Sequence, residues 1–430
     1  MKRVFVSLAA VVLGALASEF SRAADSGKNV TLAKAEWPQW RGPNRDGISN
    51  ETGLLTEWPV DGPKLLWQVE GMGKGYASVA IADGRLFTLG QVDKDTHLIA
   101  LNAADGAKLW SAPIGPGNPN CTPTVDGDRV YALGREGDLV CCNVQTGDIV
   151  WRKNFGRDLG GKMMSGWGYS ESPLVDGDRL ICTPGAPDAE IAALDKRTGD
   201  VVWKSAAPAD WGGTKGKDGA GYSSVVVSHG AGVKQYVQLT GRGVVGVAAA
   251  DGKFLWAYNK IANGTANIPT PIPTGDLIFC SSGYGTGAAL LKLVKDGDGV
   301  KAEEMYFLKP DVLQNHHGGM VLVGDYVYCG HGHNNGFPMC IELKTGKRMW
   351  EQERGAGEGS AAVLYADGHL YFRYENGEMA LIRAAPEKYE LKSHFKLASV
   401  KGRSWPHPVI VDGKLYIRDQ DSLLCYDVKR

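Results

Sequence analysis

Four imidazoles crowd one stretch of this 430-residue chain: His316 and His317 are adjacent, and His331 and His333 follow with one glycine between them. Alternate side chains leave the same face of an extended segment, so His331 and His333 are expected to project together. If the other pair enters a neighbouring strand at the same height, three or four nitrogens come within reach of zinc, copper or iron. The same groups serve equally as hydrogen-bonding partners for loop backbone or a sugar-like ligand, and the sequence leaves the two roles open. At an ordinary imidazole titration near about 6.5, ligand affinity carried by them should weaken as pH falls.

A second set has the residue types of a small-molecule pocket: Trp167, Tyr169, Glu171, Arg242, Tyr284, Asn315, Asn334, Trp405, His407 and Arg418. Trp and Tyr present flat faces to a planar or pyranose ring, while amide, carboxylate and guanidinium groups fix its polar edge. These residues are scattered along the chain. They form a site only if the fold gathers distant loops at one place.

A recurring phrase shows how it does so. It reads Ala100-Leu101-Asn102 to Asp105-Gly106 with Trp110, Cys141-Cys142-Asn143 to Thr146-Gly147 with Trp151, and Ala193-Leu194-Asp195 to Thr198-Gly199 with Trp203. It returns at Val247 to Gly252 with Trp256, and at Cys340 to Gly346 with Trp350. Each copy is two short apolar strands joined by a tight x-Gly turn, a hairpin that buries its faces only against like neighbours. A further hairpin, such as Val125-Asp126-Gly127-Asp128 or Val411-Asp412-Gly413-Lys414, precedes each phrase. Four strands per unit of roughly 40 to 50 residues is a propeller blade. Phe307 and Phe395 take the Trp place in two units.

The count is eight blades of four antiparallel strands, an all-β propeller. The last segment supplies only three strands, and Leu65 to Val69 has no blade of its own, so this N-terminal strand is expected to pair near Leu423 to Val428 and close the ring. Residues 1–23 read as a signal peptide, 24–64 as an N-terminal extension and 65–430 as the propeller. Strand order puts the short Asp-Gly and Thr-Gly turns on a lower face. The second-to-third loops and the links between blades lie on an upper face, where the candidate residues, with Trp211 and Tyr222, should converge on one mouth.

The Gly-x-x-x-Trp hairpins, with the head segment Trp37-Pro38-Gln39-Trp40-Arg41-Gly42-Pro43 and Pro63-Lys64-Leu65-Leu66-Trp67, resemble the PQQ-like quinoprotein β-propellers, which include quinone-dependent alcohol dehydrogenases and BamB-like assembly proteins. The resemblance implies the fold over almost the whole mature chain. One scaffold hosts unrelated activities, so it does not settle function. The dehydrogenases imply a quinone over a stacked Trp, a calcium held by carboxylate and amide ligands, a general-base Asp and a vicinal disulfide over the cofactor. None of these can be placed residue by residue here, and Cys141-Cys142 lies inside a strand, where the two side chains point to opposite faces. The cofactor stays unknown, with PQQ and calcium or a transition metal as the options.

Lys2 and Arg3 precede an apolar run from Val4 to Leu16 that is too short to span a membrane and has the form of a secretory leader. Cleavage after Ala23 is expected, giving a periplasmic or secreted protein. The first cysteine is Cys121, which offers no lipid-anchor site near the leader. A formal net charge of −1 with no basic run gives no footprint for nucleic acid. The cysteines fall at equivalent strand positions of different blades, Cys182, Cys280 and Cys329 among them, and read as small buried hydrophobes rather than a disulfide framework. The expected species is a monomer whose upper face takes either a small polar ligand, such as a saccharide or alcohol, or a protein segment. The first reading is a binder or oxidoreductase-like enzyme and the second a non-catalytic BamB-like scaffold; whether a reaction is catalysed stays open.

Overall fold

The computed structural model describes Met1, residues 36–351 and residues 353–430; the expected leader lies outside the described residues. The repeat phrase folds as its turn chemistry requires. In the second blade, Asn143 Oδ1 accepts from the backbone N–H groups of Gln145 (2.8 Å) and Thr146 (3.2 Å), and Gly147 follows at φ 78°. A Cβ on Gly147 would lie 2.6 Å from the indole of Trp110, so glycine is needed both for the turn and as the seat of the preceding blade's tryptophan. Trp151 sits over Gly199 and Trp203 over Gly252 in the same way. The indole N–H of Trp110 then donates to Val144 O (3.2 Å), and that of Trp151 to Lys196 O (3.0 Å). Gly and Trp in the phrase are thus the two halves of one interblade contact, repeated round the ring.

Eight sheets result, six of them four-stranded. Closure follows the expected register: Lys64–Val69 pairs antiparallel with Ser422–Asp427, with Leu65 opposite Tyr426, Trp67 opposite Cys425 and Val69 opposite Leu423. Trp67 lies over Gly106 of the first blade, so the seam between the chain's ends uses the same contact as the joints at Gly147, Gly199 and Gly252. Blade six departs from four regular strands. It has Met320–Val323, Tyr326–His331 and Phe337–Glu342, and its fourth place is held by the single bridge from Ile341 to Arg348. Trp350 still reaches the next blade, its N–H donating to Ala385 O at 2.8 Å.

All eight cysteines are buried and free. Cys141 and Cys142 pair in register with Tyr131 and Val130, the alternation that keeps their thiols on opposite faces. The residues read as an N-terminal extension are built into the ring from Glu36 onward. Trp37 exchanges backbone hydrogen bonds with Ile81 (2.8 Å each way), Val125 N donates to Pro38 O (2.7 Å), and Ile48–Ser49 adds parallel to Ala361–Ala366, the innermost strand of blade seven. Two buried guanidinium groups pin this segment along the axis. Arg45 donates to Ser172 O (2.6 Å) and Pro173 O (3.2 Å) of blade three, and Arg41 to Met320 O of blade six and Asp46 O (2.7 Å). Inner strands leave carbonyls facing the axis, and only long, multidonor side chains reach several at once.

Candidate functional site

The head segment divides the axis. Gln39, Arg41 and Arg45 line a cavity of about 480 Å³ on the lower side, while Trp40 lines one of about 490 Å³ above. The upper cavity is walled by inter-blade links and second-to-third loops, the elements that strand order assigns to the upper face. It gathers Trp167, Tyr284, His316, His317, His333, Asn334 and Trp405 from the candidates, and adds Trp40, Tyr76, Asn120, Tyr222, Glu375 and Arg403.

Aromatic rings run along one wall in an unbroken series. Tyr76 stacks on Trp405 (centroids 4.4 Å, 25°), and His317 stacks on its other face (4.3 Å, 20°). His316 lies 3.7 Å from His317 and 4.1 Å from His333, and Tyr284 meets His333 edge-on at 4.5 Å. Trp405 is therefore held between two rings and offers the cavity an edge, not the open platform expected of it. Trp167 is the open one: it is 52% exposed and meets Trp405 at 80°, so the two rings do not stack.

The imidazoles are wired to the protein. His316 bonds Ser360 Oγ through Nδ1 (2.8 Å) and Tyr284 Oη through Nε2 (3.1 Å), and His317 Nδ1 shares the same Ser360 hydroxyl (3.0 Å). His333 Nδ1 accepts from Tyr284 N (3.4 Å). Burial, followed by the neighbouring His333, pushes the His316 pKa down to about 3; burial and three neighbouring imidazoles push that of His317 well down. His333 shifts the same way through burial. Crowded together and away from water, these rings are kept neutral, since each added charge would repel the next. Among the described residues, Nε2 of His317 and of His333 has no hydrogen-bond partner.

His331 does not join them. The strand ends at His331, Gly332 and His333 turn at φ 86° and 45°, and the alternation that should have kept the two imidazoles together is broken. His331 instead accepts from Gln314 N through Nδ1 (3.1 Å), with its pKa pushed down to about 4 by burial. Among the described residues no three His, Cys, Asp or Glu side chains converge to hold a metal ion, and both nitrogens of His316 are already engaged.

The remaining candidates lie around the cavity or away from it. Asn315 bonds Gly330 O (2.8 Å) and Gly318 N (2.9 Å), which shapes the loop that presents His316 and His317. Tyr169 packs on Phe155 and donates to Pro184 O (3.0 Å). Glu171 is buried below Ser170 and Ser172, accepts from Thr183 N (2.6 Å) and Oγ1 (2.8 Å), and has its pKa pushed up to about 7 by burial. His407 touches Trp40 edge-on at 4.5 Å, with its pKa pushed down to about 3 by burial and then by Arg41. Arg418 is buried, clamping Thr88 Oγ1 (2.7 Å), Leu89 O (3.0 Å) and Gly73 O (2.8 Å). Arg242 and Trp211 open onto a separate cavity between blades three and four, so the upper face carries two concavities where one was expected. Trp40 belongs to the head motif, which the sequence places outside the ring; Tyr222 lines the mouth as its link position implies, and Tyr76 and Asn120 carry no signal beyond their place in links.

The upper cavity does not fit the PQQ and calcium arrangement. Its one carboxylate, Glu375, faces Arg403 (3.4 Å), its central Trp is covered on both faces, and the vicinal cysteines lie inside a strand of blade two. No helix among the described residues is long and apolar enough to cross a membrane.

Comparison with known proteins agrees with the repeat. The chain is 21% identical over 293 residues to outer membrane protein assembly factor BamB of Shewanella oneidensis, covering 65% of this chain and 69% of that protein. It is 26% identical over 239 residues to tetrathionate hydrolase of Acidithiobacillus ferrooxidans, covering 50% of this chain and 44% of the hydrolase, so it spans less than half the length of that relative. The solved quinohemoprotein alcohol dehydrogenase of Comamonas testosteroni superposes with a TM-score of 0.63 at 14% identity, covering 92% of this chain and 80% of that one, a likeness of fold. The family described as outer membrane protein assembly factor BamB matches residues 94–352, more than half of the chain and the stretch holding most of the Gly and Trp joints. The chain belongs to that family of PQQ-like β-propellers.

Proposed function

We propose that this is an exported PQQ-like propeller that binds a small polar ligand, of saccharide or alcohol type, in the upper cavity. One observation carries the reading: Tyr284 and His333, two large residues that touch each other at the cavity wall, both hold positive φ, 55° and 45°. Such backbone costs of order 1 kcal/mol or more per residue and persists where the surroundings over-determine it, commonly at binding sites. A partly exposed Trp167, two free imidazole nitrogens and the hydroxyls of Ser172, Ser224 and Thr270 suit a ring with a polar edge. Residues 1–23 would direct export.

The alternative, a non-catalytic scaffold in the periplasm, rests on the family match. Large exposed apolar residues fall one or two to an outer strand in successive blades, as with Leu109, Val150 and Val202, instead of gathering as one patch. The concave mouth supports ligand binding better. Isothermal titration with a panel of monosaccharides and alcohols tests this: saturable binding that Trp167→Ala weakens by about tenfold is expected. Failure of the whole panel, with capture of a partner protein that Trp167→Ala leaves intact, would favour the scaffold.

A further inference from the structure

The second upper concavity, of about 410 Å³, carries a pattern of charge that the mouth lacks. Glu190, in the upper loop of blade three, is 4% exposed and lines it. The Thr240 hydroxyl beside it also faces Gly243 O (3.2 Å), so at most one donor serves a carboxylate that can accept about four. Arg242, which lines the same cavity, donates through Nε to Asp218 Oδ1 (2.5 Å), and its two terminal nitrogens make no hydrogen bond among the described residues. Lys162 stands 4.0 Å from Asp218 Oδ2. Glu190 and Arg242 line the same space without pairing with each other.

Each single charge is a poor occupant. A bare cation meets Arg242 and Lys162, and a bare anion meets Glu190, Asp218 and Asp210. A molecule bearing both charges a few ångströms apart satisfies the unpaired carboxylate and the open guanidinium fork together. Pro187, Ala207, Ala209 and the indole of Trp211 supply an apolar wall beside them. We propose that this lateral cavity is a binding site for a small zwitterion of the α-amino-acid type with an apolar side chain, its ammonium on Glu190 and its carboxylate on Arg242. The site is independent of the central mouth.

The Glu190 pKa is pushed up to about 7 by burial, with Asp218 raising it further and Lys162 opposing. Arg242 and Asp210 also face the cavity. An ammonium prefers the ionised carboxylate, so affinity should rise between pH 6 and 8.

Calorimetry at pH 8 with L-leucine and its two halves, 3-methylbutylamine and 4-methylpentanoate, tests the assignment. Leucine is expected to bind at least about tenfold more tightly than either half. Glu190→Gln and Arg242→Gln should each weaken leucine by about tenfold or more while Trp167→Ala leaves it unchanged. Either half binding as tightly as leucine, no binding of leucine to the wild-type protein, or unchanged binding in both charge variants would overturn it. The ligand series on the wild-type protein decides the matter even if a variant fails to fold.

Discussion

The lower turns and the upper mouth are built on opposite rules. Below, one contact recurs: an indole from one blade lies on the turn glycine of the next, at Gly106, Gly147, Gly199 and Gly252 alike. Above, the loops vary in length and residue type, two aromatic rings that touch each other sit on backbone of positive φ, and three imidazoles crowd within about a ring's width of one another. Periodic contacts give the ring its cohesion, since each buries a large apolar area in a standard setting. Departures from the period cost stability and are retained where something is bound. Substitutions at the two faces should therefore separate folding from binding.

The largest effect is expected below. Trp151→Ala should destabilise by about 3–5 kcal/mol, because it empties a seat between blades that no neighbour can refill. Chemical denaturation measures this, and the folded fraction should retain its ligand affinity. A loss under about 1 kcal/mol would mean that the joints do not carry the ring. Next comes the axis, where the two regions meet. Arg45→Met leaves the carbonyl of Ser172 without its donor, while that of Pro173 keeps the Thr124 hydroxyl (2.6 Å), and should cost about 1–3 kcal/mol. Ser172 also lines the mouth, so this variant should lower both stability and affinity, which neither face does alone.

A smaller stability effect and a larger functional one belong to the top. Trp167→Ala removes a half-exposed ring and should change the unfolding free energy by no more than about 0.5 kcal/mol, the range typical of surface changes. Affinity at the mouth should fall by about tenfold, the loss of one stacking face. If the two tryptophans exchanged these effects, the division between faces would be wrong.

What the sequence made readable follows the same division. Blade number, closure by Leu65 to Val69 and the assignment of loops to faces all came from the period, and a period is visible because each copy repeats the others. The axial plug was not, since residues 36–49 occur once and their partners are backbone N–H and C=O groups of blades one, two, three, six and seven, which no side-chain pattern encodes. His331 was grouped with His333 on strand alternation, and a turn one residue past the strand end separated them. Trp405 was correctly singled out as aperiodic, yet whether its faces are free depends on Tyr76 and His317 arriving from two other links. Arg242 and Trp211 were assigned to the right face but not to the right cavity.

The subtlest expected effect is in pH, where the faces respond through different groups. Free imidazoles would lose affinity near about 6.5. Here the pKa values of His316 and His407 are pushed down to about 3, that of His331, outside the mouth, to about 4, and that of His317 well down, so His316 and His317 stay neutral in the native mouth and affinity carried by them should be level from pH 8 to about 5. Stability behaves otherwise. Below about 6.5 the unfolded chain binds protons on these imidazoles that the native state refuses, so each contributes a loss as pH falls toward its native value. Glu171 and Glu190, with pKa values pushed up to about 7, act in the other direction: between about 7 and 4.5 the native state holds protons that the unfolded state releases, and stability gains as pH falls. The two sets offset each other from pH 6.5 to about 4.5. Below that the imidazoles act together with carboxylates whose native pKa is lowered, Asp176 and Glu304 among them, and stability should drop steeply. Denaturation measured across this range should show a shoulder and then a fall, with Glu190→Gln removing part of the shoulder and leaving the fall in place. A mouth whose affinity instead declines in step with stability from pH 6.5 downward would mean that its imidazoles are open to water, and that the upper face is ordinary surface.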